Sequence, residues 1–331
     1  MRRLSEDTVI REMMRRLRSD PSVRVPLGDD AAAVRVSPKR VLVATTDHMA
    51  EGVHFERKLC PPLLLGRKLV LTNLSDMSAM GAEPRWALVN AALPGDIAFS
   101  WVQELLRGVR REARRHGVVL LGGDTTASRK GVFLSLTLLG EADPRRCLRR
   151  TGAGPGALVF VSGALGASAA GLRALRRSGG YGRLRGVRRR LAGRHLLPPV
   201  RLALARALAS KNLARAAMDL SDGLSVDLER FCAANRAGAV LRESSIPVDP
   251  AVRCAFPGDA LSLALHGGED YELLFAAPAR KRREVLALGK KLKIPLAEIG
   301  KLTRAGGILL VGEDGRKRPL SSRKGFQHFG K

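Results

Sequence analysis

Apolar residues recur along this chain with two periods, and the switching between them sets the expected order of elements. Leu64, Val70, Leu71, Leu74 and Met77 keep helical spacing across residues 63–80, and Gly81 follows as a stop. Leu224, Leu228, Phe231 and Cys232 fall at i, i+4, i+7 and i+8, so a second amphipathic helix is predicted to begin near Ser221, with Ser221 and Asp222 suited to cap it. Further helices are expected over 101–116 and 202–209, and an Arg-rich surface helix over 1–18. Compact apolar runs predict strands at 31–36, 41–44, 86–93, 118–121, 158–161 and 273–275, and a strand over 132–139 that alternates little and so reads as buried on both faces. Helices interleaved with strands point to an α/β and α+β chain.

At 331 residues, two domains are the default. Gly152, Gly154, Pro155 and Gly156 mark the junction, because a new apolar strand starts just after them, and the expected domains are 1–150 and 151–331. The glycine run lacks dinucleotide-binding spacing and reads as a linker. A hydrophobic content of 45% supplies ordinary cores. No apolar run reaches the ~18 residues that span a bilayer, and Glu6, Asp7 and Glu12 argue against a transit peptide. Cys60, Cys147, Cys232 and Cys254 form no C-x-x-C pair, so neither a zinc site nor a disulfide framework is supported, and a reducing cytoplasm fits.

Net charge changes the picture. At +27, the chain raises the possibility of a polyanion partner, and its basic residues crowd in 173–201, with Arg176, Arg177, Arg188, Arg189, Arg190 and Arg194. Aromatic residues make up only 4%, and this stretch holds just Tyr181, so a base-stacking platform is missing. A solvated basic face is the expected reading, with no specific nucleic-acid partner.

Against that positive background, six short clusters of carboxylate and hydroxyl oxygen reverse the local sign. They are Gly28-Asp29-Asp30, Thr45-Thr46-Asp47, Asn73-Leu74-Ser75-Asp76, Gly122-Gly123-Asp124-Thr125, Asp219-Leu220-Ser221-Asp222 and Gly267-Gly268-Glu269-Asp270. Capping or turn formation explains any one of them. Recurrence points elsewhere: oxygen clusters with few His or Cys suit Mg²⁺, which takes a few carboxylates and leaves its other positions to water and phosphate. Thr45-Thr46-Asp47 is expected at the C-terminal end of its strand, where open sheets gather ligand groups. Asn73 and Asp76, three apart on a helix, share a face beside an apolar stripe. Gly122 and Gly123, expected just past a strand, would let the backbone approach a ligand. His54 lies close downstream of an oxygen cluster, although a lone histidine is more often structural. No Walker A sequence and no protein-kinase motif set is present.

These motifs, in this order, resemble thiamine-monophosphate kinase, and the match adds Gly52-Val53-His54-Phe55, Ala79-Met80-Gly81-Ala82 and Tyr271-Glu272-Leu273. The resemblance is collinear from about residue 4 to Phe329. It implies the two-domain fold shared with aminoimidazole ribonucleotide synthetase, an N-terminal α+β domain and a C-terminal α/β domain, with two N-terminal domains pairing into a β-barrel in a homodimer. By motif position it implies that Asp30, Thr45, Thr46, Asp47, Asp76, Asp124, Asp219 and Asp222 hold Mg²⁺, with Asp124, Asp219 and Asp222 serving catalysis. Gly123, Asp124, Arg150 and Ser221 would contact ATP, and His54, Glu269 and Phe326 would contact thiamine monophosphate. Transfer between two phosphates suits such a set: the acceptor oxygen is already ionised, so repulsion between anions is the barrier and a general base is unnecessary. Two alternatives stay open, an ATP-dependent enzyme of the same fold acting on another small molecule, and a basic nucleic-acid-binding protein.

Overall fold

The computed structural model describes residues 12, 20–26, 28–322 and 325. The expected helix over 1–18, apart from Glu12, and Phe326 lie outside the described residues.

Two sheets organise the chain. The first has the order β1-β2-β3-β6-β4-β5. In it, β1 (Val23–Val25), β2 (Ala32–Ser37), β3 (Arg40–Ala50), β6 (Phe133–Ala142) and β4 (Glu83–Pro94) pair antiparallel, while β5 (Val119–Ser128) runs parallel to β4 at the edge. Along β6, Leu134, Leu136 and Leu138 are buried and the residues between them are not, so only one face of this strand is covered and the expectation of two buried faces fails. The covering elements are α1 (Pro62–Ala79), against β3 and β6, and α2 (Phe99–Arg115), against α1. The other face is bare. Leu88 and Phe133 are each 37% exposed, and Val119 and Leu121 on the edge strand reach 56% and 57%.

The second sheet has the order β13-β12-β9-β11-β7-β10-β8. Its strands are β7 (Leu158–Ser162), β8 (Ala216–Asp219), β9 (Gly238–Arg242), β10 (Leu273–Ala277), β11 (Leu296–Thr303), β12 (Ile308–Val311) and β13 (Lys317–Pro319). Adjacent residues face opposite sides. Val161 and Leu274 pack with Leu228 and Phe231 of α6 (Leu224–Ala234), whereas Phe160 stacks on Phe275 with centroids 5.3 Å apart and packs with Leu204 and Leu208 of α5 (Leu202–Ser210). The stacked pair contributes about 1 kcal/mol beyond its area. The remaining helices are α3 (Ala167–Ser178), α4 (Gly186–Leu196), α7 (Pro250–Ala255), α8 (Ala260–His266) and α9 (Arg282–Leu292).

Helix α1 joins the halves. Pro62 sits in its first turn, where a missing N–H costs nothing, and Gly81 ends it at φ +63°. Sheet one and α2 enclose it on one side, and α4, α5 and β8 of the second half on the other, so its residues from Leu65 onward are buried almost without exception. All four cysteines are free thiols. Among the described residues no helix is long and apolar enough to cross a membrane.

Three boundaries differ from expectation. Strand β3 runs on to Ala50, so Thr45-Thr46-Asp47 lies in its middle, and β5 carries Gly122 to Thr126 within it. Polar side chains ended the apolar pattern in both places, but a ladder is built from backbone groups and continues through them. Helix α6 starts at Leu224 rather than near Ser221.

Candidate active site

A buried helix in this position would ordinarily be apolar all round, yet α1 carries Lys68, Thr72, Ser75 and Asp76 at i, i+4, i+7 and i+8, which makes one of its faces polar. That face meets three other elements. From β8, Asp219 accepts a 2.7 Å hydrogen bond from Ser75 Oγ through Oδ2. From β3, Thr45 Oγ1 donates to Asp76 Oδ2 at 2.5 Å, and the Asp47 N–H donates to Asn73 Oδ1 at 3.1 Å. At the strand entrance, Asp30 Oδ1 takes a 2.7 Å bond from Arg150 Nη2, and the Asp29 carboxylate takes the Arg150 backbone N–H at 3.0 Å. Sequence motifs spread over about 190 positions thus converge on one cleft.

The cleft is electrostatically unfinished. Burial first, then Asp47 and Asp219, push the Asp76 carboxyl well above its usual range. Burial and then Asp30 push Asp219 up to about 8, with the Ser75 hydroxyl and Arg150 opposing. For Asp30, burial outweighs the Arg150 guanidinium and raises the carboxyl to about 6. Asp47 is raised as well, by burial and then by Glu269, against a hydrogen bond from Thr72. Asp30 Oδ2 and Arg150 Nε are buried without a hydrogen-bond partner. Like charges held together in low dielectric need a cation, and an orphaned carboxylate oxygen is a ligand atom to spare. The donor set therefore fits Mg²⁺. Among the described residues, no three His, Cys, Asp or Glu already close around a single metal position.

After β8 the chain turns before α6 begins. The expected capping by Ser221 and Asp222 does not occur; instead the buried Asp227 Oδ2, inside the first turn, accepts the N–H groups of Asp222 and Gly223 at 3.0 Å each. Gly223 sits at φ +106°, and a Cβ there would lie 2.9 Å from the Gly267 carbonyl oxygen, so a side chain is barred from this crossing. Arg230 pairs with Asp222 and lies 3.6 Å from Asp227 Oδ1. With Asp227 holding the turn, Ser221 and the Arg230-paired Asp222 line a neighbouring cavity.

That cavity holds about 620 Å³, and its apolar wall includes Met49, Phe55, Leu59, Leu172, Leu175 and Leu196. Asp47, His54, Lys68, His195, Glu269 and Arg230 supply its polar positions. His54 Nδ1 accepts the Ala50 N–H at 3.0 Å, which fixes its ring at the loop after β3. Glu269 is held by Lys68 Nζ at 2.9 Å and faces His195 Nδ1 at 3.3 Å. Burial opposes the Glu269 charge, but the Lys68 ammonium, by its charge and its hydrogen bond, holds its carboxyl below its ordinary value. The rest of that motif is structural: Asp270 accepts the N–H groups of Gly166 and Ser168 at the start of α3, at 2.6 and 3.1 Å, and burial raises it to about 7. Glu272, fully buried, takes two bonds from Arg201 at 2.5 and 2.6 Å, one from Arg194 at 3.0 Å and one from Ser162 at 2.6 Å.

Asp124 and Thr46 stand apart from the cleft. Asp124 is exposed on β5 and pairs in register with Asn90, Ser135 and His48 in turn, so it shares the bare face of the first sheet. Thr46 is on that face too, with its Oγ1 3.5 Å from Ser135 and 3.2 Å from Thr137. Of the two glycines before Asp124, Gly122 faces open space, but a Cβ on Gly123 would stand 1.7 Å from the Val89 carbonyl oxygen, so Gly123 is required by strand packing before any ligand arrives. Lys68 and His195 were not singled out by the motif reading. The signal for Lys68 was there, in the helical spacing it shares with Thr72, Ser75 and Asp76; His195 was hidden among arginines.

The fold and the acid-lined cleft define a two-domain protein of the AIR synthase type: residues 28–142 match the family described as AIR synthase related protein, N-terminal domain, and 154–312 its C-terminal domain. The chain is 33% identical over 326 residues to the thiamine-monophosphate kinase of Haemophilus influenzae, covering 98% of this chain and 97% of that one. It is 35% identical over 331 residues to that of Escherichia coli, with 98% of each covered. A solved ThiL in complex with AMPPCP and TMP superposes with a TM-score of 0.85 at 31% identity, over 98% of this chain and 97% of that one. The chain belongs to the thiamine-monophosphate kinase family.

Proposed function

We propose that this protein transfers the γ-phosphoryl group of ATP directly to thiamine monophosphate, giving thiamine diphosphate. The observation that carries the reading is the junction of a cleft crowded with carboxylates and a heterocycle-sized cavity, both built on one face of α1. In this reading Asp30, Thr45, Thr46, Asp47, Asp76, Asp124, Asp219 and Asp222 hold Mg²⁺, which neutralises and aligns the phosphates. Asp124, Asp219 and Asp222 serve catalysis. Gly123, Asp124, Arg150 and Ser221 take the nucleotide, with the Arg150 guanidinium, partly buried and already on Asp30, supplying positive charge to it. His54, Glu269 and Phe326 contact the acceptor, whose flat rings suit the apolar wall. No group is asked to remove a proton, because the attacking phosphate oxygen carries its charge already.

Four further readings go with this one. The domains divide at 150/151, between the two sheets. The bare face and exposed edge strand of the first sheet would be covered by a second copy in a homodimer, bringing Asp124 and Thr46 into a barrel lumen. The four free thiols suit the cytoplasm, and no specific nucleic-acid partner is needed to account for the charge. The test is turnover of thiamine monophosphate with ATP and Mg²⁺, followed by the appearance of thiamine diphosphate, beside a panel of other phosphorylated heterocycles. Turnover confined to one of those others would overturn the assignment.

A further inference from the structure

A lysine 1% exposed inside a helix is costly, since taking an ammonium out of water is offset only by good partners. Lys68 has two: Glu269 Oε1 at 2.9 Å and His195 Nε2 at 3.5 Å. An ammonium can only donate, so Nε2 accepts, and the proton of a neutral ring is assigned to Nδ1, between Ser168 Oγ at 3.0 Å and Glu269 Oε2 at 3.3 Å. Burial, with Lys68 adding to it, pushes His195 down to about 3 and keeps it neutral. Glu269 is thus ion-paired with Lys68 at Oε1 and has the neutral His195 ring against Oε2. Its backbone is constrained as well, at φ +64° with its N–H on the Ser221 carbonyl at 2.6 Å, and Tyr271 next but one is at φ +49°. Left-handed conformations at two non-glycine residues cost energy and persist where the surroundings enforce them.

We propose that Lys68 and His195 are positioning residues for acceptor recognition: they grip the Glu269 carboxylate from both sides and aim it into the cavity, a role that rests on the acceptor reading above. Neither need touch the reacting phosphates. A leucine or methionine would fill the Lys68 position without a buried charge, so packing alone does not account for it, whereas a carboxylate fixed in a mostly apolar cavity accounts for all three residues. Such a group would select an acceptor carrying a cationic ring or ring amino donors over a neutral one of equal size.

The test uses the full chain with ATP, Mg²⁺ and thiamine monophosphate in steady-state assays, with thermal melting alongside. Lys68→Met should raise KM for thiamine monophosphate on the order of 10²-fold, the scale of a roughly 1 Å misplacement, while KM for ATP stays within about 3-fold. Because Lys68→Met leaves a carboxylate unpaired, His195→Asn is measured beside it; it opens the other side of the grip without unpairing a charge and should give the same selective rise even if Lys68→Met does not fold. On a Glu269→Gln background, either change should add little, since they act through that carboxylate. Effects that multiply with Glu269→Gln, equal rises in both KM values, or no rise would overturn the inference. Absence of any turnover in the unsubstituted protein is a different signature: it would remove the kinase reading, and this inference with it.

Discussion

Replacing Asp219 by Asn separates the stability of the metal-free fold from its chemistry. Burial and Asp30 raise the native Asp219 carboxyl from 3.8 to about 8. A carboxyl with a raised native pKa holds its proton more tightly when folded, so its stabilising contribution is whole below about pH 4 and is lost as pH rises through about 8. At 1.36 kcal/mol per pH unit, that interval amounts to roughly 5 kcal/mol. Asn has nearly the same shape, keeps an oxygen for the Ser75 hydroxyl, and does not ionise. In EDTA, the variant should therefore melt close to the unsubstituted protein near pH 4 to 5 and well above it near pH 9. At about 2 °C per kcal/mol for a chain of this size, the gap should reach roughly 10 °C. Melting curves at several pH values, with and without Mg²⁺, read this directly, and Mg²⁺ at about pH 9 should stabilise the unsubstituted protein more than the variant. Parallel pH profiles for the two proteins would refute the account of the cleft as a set of carboxylates that repel one another.

Three other outcomes are expected. Asp124→Asn should lower turnover by roughly 10²-fold, about 3 kcal/mol of transition-state stabilisation, with melting little changed because Asn keeps the oxygen that accepts the Thr125 N–H; a folded variant that keeps most of its turnover at limiting Mg²⁺ removes Asp124 from the metal set. Excess EDTA should abolish turnover and readdition of Mg²⁺ restore it, and full activity in chelator would end the metal-centred reading. Glu272→Ala should cost roughly 3–5 kcal/mol, the scale for unpairing a buried ion pair, because it strands Arg201; a chemical-denaturation midpoint shift corresponding to less than about 1 kcal/mol would show that solvent rescues the guanidinium.

The elements most legible in the sequence were those whose spacing and burial agree. Helix α1 was expected over 63–80 and spans Pro62–Ala79, and the strand expected over 158–161 is Leu158–Ser162. The oxygen clusters were legible for a different reason: carboxylates repeated in a chain of net charge +27 stand out as sign reversals. What escaped depended on tertiary neighbours. Asp227 looked like an ordinary residue of α6 until the turn folded back onto it, and the caps expected at Ser221 and Asp222 were displaced by it. Asp124 looked equivalent to the other acidic positions because nothing local reveals that β5 is the edge strand of its sheet. Lys68 was overlooked because a lysine in an apolar helix is usually one whose head reaches solvent, and only His195 of α4 and the turn carrying Glu269 meet that head in the fold.

Helix α1 also acts as a ruler. Lys68 stands at the acceptor cavity and Asp76 in the carboxylate cleft, and at 1.5 Å per residue their separation along the axis is about 12 Å. The gap between the two chemical centres is therefore metered by backbone hydrogen bonds inside a buried helix, and no loop movement can stretch it. Tilting the helix would carry both ends together. Deleting a single residue between them would turn Asp76 by roughly 100° about the axis and carry it out of the cleft, so this segment tolerates substitution far better than any change in length.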